Sequence, residues 1–134
     1  MPHVSLVWRE ALQFAGTLPS GATLEFDGDR GPQPVETMIA TVAACMAMDV
    51  ISILIKKRQN VSSYRIETEY ERIPEGEWPR PVVAIRMRHI VGGSDLDPQA
   101  VERAVQLSDE KYCSVLWTLR QPPTIEMEWA VEPA

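Results

Sequence analysis

Cysteine is scarce in this chain: Cys45 and Cys113, 68 positions apart, are the only two in 134 residues. Neither belongs to a CxxC or to a close-spaced set of metal ligands. That argues against a structural disulfide and for a reducing cytoplasm, leaving a transient redox pair open. Histidine is equally rare. His3 and His89 stand far apart, and His89 alternates with strand residues, so both read as structural. HExxH, GxSxG, P-loop and Rossmann patterns are missing, and no cofactor or metal site is expected. Basic residues are outnumbered, 13 against 19 acidic, and the net charge is −6. Without a basic stripe there is no counterion release to drive nucleic-acid or anionic-membrane binding. The first residues include Pro2, His3, Trp8, Arg9 and Glu10, which is not the apolar core of a signal peptide. Only one long apolar run exists, and Asp49 inside it argues against a membrane span.

What is present fits a single domain over 1–134, large enough for its own core. Short alternating stretches at 3–15 and 22–26, punctuated by Gly16, Pro19-Ser20-Gly21 and Gly28, predict a three-stranded antiparallel meander. Longer period-two patterns at 61–73 and 82–91, joined by the turn-rich 74–81, predict a hairpin with one buried face. Its outer face sets glutamates against arginines, as solvated strands do. Asp97-Pro98 opens a second, amphipathic helix to about Glu110, and a further helical piece runs from Tyr112 to Arg120. Ile125, Met127, Trp129 and Val131 alternate with glutamates as a last strand. The expected order is βββ-α-ββ-α-β, an α+β domain with its antiparallel sheet packed on its helices.

The stretch at 34–58 is the centre of this plan. Pro34 suits the first helical position, Glu36 the first turn, and Lys56, Lys57 and Arg58 the last. Between Met38 and Ile55 only Thr41, Asp49 and Ser52 are polar, so burial on every side is expected. A sheet with one solvated face covers only one side of that helix. The simplest cover for the other is a second copy of the chain, an intimate homodimer.

Cys45 sits on this helix among Ala43, Ala44 and Ala47, small neighbours that allow close approach to its sulfur. A buried cysteine is most often a small apolar filler. A reactive one needs a cation or a helix N-terminus nearby. Cys45 lies three turns into its helix with Asp49 at i+4, so any activating cation must come from another segment. Arg9 and Arg30, in or beside loops near the helix start, are the candidates. Cys113 falls at the junction of two helical pieces, where a helix N-terminus favours a thiolate.

Residues 31–54 (GPQPVETMIATVAACMAMDVISIL), 95–115 (DLDPQAVERAVQLSDEKYCSV) and the strand order between them resemble the OsmC/Ohr family of osmotically inducible and organic hydroperoxide resistance proteins. The likeness spans essentially the whole chain and is greatest to the OsmC-like subgroup. It implies an intertwined homodimer with sites at the subunit interface. It also implies reduction of organic hydroperoxides, a peroxiredoxin-like antioxidant defence, with Cys45 attacking the peroxide and Cys113 resolving. A dithiol such as a lipoylated protein would be the reductant. The family's peroxidases pair an arginine with a glutamate directly after the proline. Here Val35 holds that position, and Glu36 follows about 100° further round the helix. Glu36, Arg30 and Arg9 are therefore the candidate activating residues. The rival expectation is a non-enzymatic dimer or stress protein that binds a small ligand beside Cys45, with Met38, Met46 and Met48 as adaptable lining.

Overall fold

Pro34–Lys56 is one uninterrupted helix, α1, in a computed structural model of the chain that describes residues 1–133. Pro34 takes the first helical position, and the Glu36 carboxylate accepts the Gln33 N–H at 3.2 Å, satisfying a donor that the first turn leaves free. Gly31 precedes it at φ +87°, and a side chain there would press on that carboxylate.

Three strands come before the helix: β1 (Ser5–Glu10), β2 (Gln13–Thr17) and β3 (Thr23–Asp27), paired antiparallel in that order. After it, β4 (Asn60–Arg72) and β5 (Val82–Ser94) form a separate two-stranded sheet. Their register sets Tyr64 opposite Val91, Ile66 opposite His89 and Thr68 opposite Met87 on one face. Glu67 faces Arg88 and Glu69 faces Arg86 on the other, the charge pattern expected of a solvated face. α2 (Pro98–Leu107) starts at Asp97, whose carboxylate accepts the Gln99 N–H at 3.0 Å. A π-helical turn, Ser108–Tyr112, links it to α3 (Ser114–Arg120).

Ile39, Val42, Met46, Val50 and Leu54 of α1 are buried, spaced three or four apart along one stripe. Val50 and Leu54 meet Ala104 of α2 at the centre, with Val61, Tyr64 and Val91 of the hairpin around them. The opposite face is open: Met48 is 69% and Ile55 64% exposed. Burial on every side is thus not achieved within one chain, because the hairpin and α2 reach only one side of α1. The meander also lacks a cover. A groove of about 520 Å³ on it is lined by Val4, Leu6, Leu12, Phe14, Leu18 and Phe26.

One expected element is missing. Residues 125–131 form no strand, and Trp129 is 89% exposed. Alternation prepares a strand, but a strand exists only where a neighbouring edge takes its N–H and C=O groups, and this chain's own edges do not.

Candidate functional site

α1 brings Cys45 and Asp49 to one side, since four residues make just over one turn. The π-helical turn then delivers Cys113 to the same place. The two Sγ atoms and a carboxylate oxygen of Asp49 all lie within 4.8 Å of one another. Both thiols are free; Cys45 is half-buried and Cys113 fully buried. Bond formation between the sulfurs, at ~2.05 Å, requires them to close by less than ~3 Å.

Cys113 caps α3, and its Sγ accepts the Leu116 N–H at 3.4 Å. The expected junction at a helix start is therefore present. It does not make Cys113 a thiolate: burial pushes its pKa up, Leu116 pulls it partly back, and the neighbouring Cys45 and Asp49 raise it further. Asp49 is itself anchored. Ser108, fully buried, donates its hydroxyl to Asp49 Oδ2 at 2.9 Å.

The other candidates stand elsewhere. Glu36 serves the start of α1; nine residues of helix place it about 13.5 Å before Cys45 and on the opposite side. Arg9 on β1 pairs with Glu25 at 3.4 Å on the exposed meander. Arg30 lies in the β3–α1 loop, where its backbone N–H donates to Asp27 Oδ1 at 3.1 Å. Among the described residues no ion pair or hydrogen bond joins either arginine to the trio. Spacing named Asp49 only as the i+4 neighbour of Cys45, and did not single out Ser108. Asp49 had a visible signal, the only charge between Met38 and Ile55. Ser108 had none, because a serine in an amphipathic stripe looks like a border residue.

His89 belongs to the sheet. Its Nδ1 shares a 2.7 Å hydrogen bond with the Tyr64 hydroxyl, and both groups are half-buried. Burial raises the Tyr64 pKa to about 12 and lowers that of His89. Folded Tyr64 keeps its proton above pH 10, where the unfolded residue loses it. Stability is therefore expected to be full below pH 10 and to fall as pH rises toward 12. Ultraviolet titration of Tyr64→Phe protein checks this, by losing the late-ionising phenol and the alkaline slope together. His89 acts at the other end: its contribution is present above pH 6.5 and lost as pH falls through the lowered folded value.

Residues 26–128 match the model of the OsmC family, described as OsmC-like protein. Protein YhfA of Escherichia coli strain K12 is 40% identical over 127 residues, covering 92% of this chain and 93% of YhfA. Among solved structures, a hypothetical protein from Aquifex aeolicus VF5 superposes with a TM-score of 0.79 at 28% identity, covering 98% of this chain and 96% of that one. The organic hydroperoxide resistance protein OhrB of Bacillus subtilis shares the fold, with a TM-score of 0.56, 20% identity and coverage of 91% and 92%. The helix that carries Cys45, the β4–β5 hairpin after it and the later helices that return Cys113 all fall in the matched region: the chain belongs to the OsmC-like family.

Proposed function

We propose that the protein reduces organic hydroperoxides through Cys45 and Cys113. The observation that carries this reading is the meeting of two free sulfurs, distant in sequence, within 4.8 Å. Cys45, the accessible one, attacks the outer peroxide oxygen as thiolate. The O–O bond breaks, the alkoxide leaves and takes up a proton as the alcohol, and Cys45 becomes a sulfenic acid. Cys113, shielded until then, attacks that sulfur and gives up its proton to the departing hydroxide. Water leaves and a disulfide remains, which a dithiol such as a lipoylated protein returns to two thiols.

The cation that activates Cys45 comes, in this reading, from a second copy. The open face of α1 and the open groove of the meander are both apolar and both belong to one chain. A homodimer that lays one on the other covers both, and carries Arg9 or Arg30 of one copy toward the Cys45 of its partner. Free thiols working in this cycle suit the reducing cytoplasm.

Thiol titration after tert-butyl hydroperoxide is the test. Reduced protein should lose two thiols per chain and regain them with a dithiol. Thiols that survive stoichiometric peroxide for minutes would overturn the reading and favour a ligand-binding dimer.

A further inference from the structure

We propose that the reduced site also binds a thiophilic divalent cation of the zinc class, held by Cys45 Sγ, Cys113 Sγ and a carboxylate oxygen of Asp49. This goes beyond the peroxide reading and does not rest on it. All three donor atoms lie within 4.8 Å of one another. Tetrahedral zinc, with bonds of ~2.3 Å to sulfur and ~2.0–2.2 Å to oxygen, sets its donors roughly 3.5–3.8 Å apart. The trio therefore needs at most about 1.3 Å of contraction to enclose an ion.

The donor set selects the metal. Two thiolates exclude magnesium and calcium, which take oxygen, and favour zinc and its analogues cobalt and cadmium. Deprotonated, the three groups offer three negative charges, and among the described residues no lysine or arginine forms an ion pair with Asp49. The surroundings orient the donors as outer-shell groups do. Ser108 holds one oxygen of Asp49 at 2.9 Å, and the Leu116 N–H points at Cys113 Sγ from 3.4 Å. A groove of about 520 Å³ opens on Asp49 between Ser52, Leu107 and Tyr112, giving an ion a path to the carboxylate. Lys56 and Lys57 line the same groove, so the three ligand charges work against two cations. An ion held there occupies both sulfurs, and the loaded site is closed to alkylation and to peroxide alike.

Cobalt titration of fully reduced protein without oxygen tests this, followed by competition between zinc and a chromophoric chelator. The expected result is one ion per chain, with thiolate-to-cobalt charge-transfer absorption and a tetrahedral ligand-field spectrum. Cys45→Ser and Cys113→Ser should each remove that charge-transfer signature. Asp49→Asn, which still accepts from Ser108, should weaken zinc at least ~10-fold, and Ser108→Ala about 10-fold. Circular dichroism establishes that each variant is folded, and the wild-type stoichiometry and spectrum decide the matter if one is not. An octahedral spectrum without charge transfer, or unchanged zinc affinity in folded Asp49→Asn protein, overturns the proposal. Because no peroxide enters the measurement, its failure is distinct from failure of the hydroperoxide reaction.

Discussion

Cys45→Ser protein is expected to keep its one remaining thiol after exposure to an organic hydroperoxide, with peroxide consumption at the uncatalysed background. Cys113→Ser protein is expected to react once and stop, holding a Cys45 sulfenic acid that dimedone traps. The difference follows from burial. Cys45 is half-buried and meets peroxide, whereas Cys113 is fully buried and its pKa is raised by that burial. Only after Cys45 is oxidised does the neighbouring sulfur have an electrophile within reach, and in wild type the two thiols therefore disappear together. Mass spectrometry of the two variants separates the outcomes. A sulfenic acid formed at Cys113 in Cys45→Ser protein would reverse the assigned order. Its absence from both would remove the cycle.

The second large effect concerns assembly. Met48→Glu is expected to convert a dimer, of twice the 15.1 kDa chain mass, into monomers at micromolar concentration, read by light scattering. Met48 contributes almost nothing to the core of its own chain, being 69% exposed, so the variant should retain its helices. In the dimer the same position would be sealed against apolar surface, where an unpaired carboxylate costs several kcal/mol, on the order of the penalty for a buried ion. If an arginine of the second copy activates Cys45, hydroperoxide consumption should fall with the mass. Wild-type protein that already scatters at 15.1 kDa would remove the dimer, and with it the supply of that arginine.

Much of the architecture was legible from local chemistry. Pro34 and Asp97-Pro98 mark helix starts because of what they do to backbone donors, and both helices begin there. The period-two stretches around Tyr64 and Met87 could bury one face only as strands, and they pair in that register. Residues 125–131 show the limit of such reasoning. Their alternation is genuine, but a strand is a property of two segments, and the second was not in the pattern.

Sequence alone determined the helices and the first five strands, though not the last one expected, the one-sided cover of α1 and the two thiols worth attention. Both cysteines could be named because two are few and each stood at a telling place in its helix. Tertiary structure decided what surrounds them. Whether residues 45, 49, 108 and 113 meet in one place depends on the angle between α1 and α2 and on the π-helical turn, which no spacing along the chain encodes. The same packing joins neither Arg9 nor Arg30 to those groups by a hydrogen bond or ion pair among the described residues. Local propensity is set by neighbours in the chain. A cluster of chemical groups is set by neighbours in space, and here they are two sulfurs, a carboxylate and the serine that holds it.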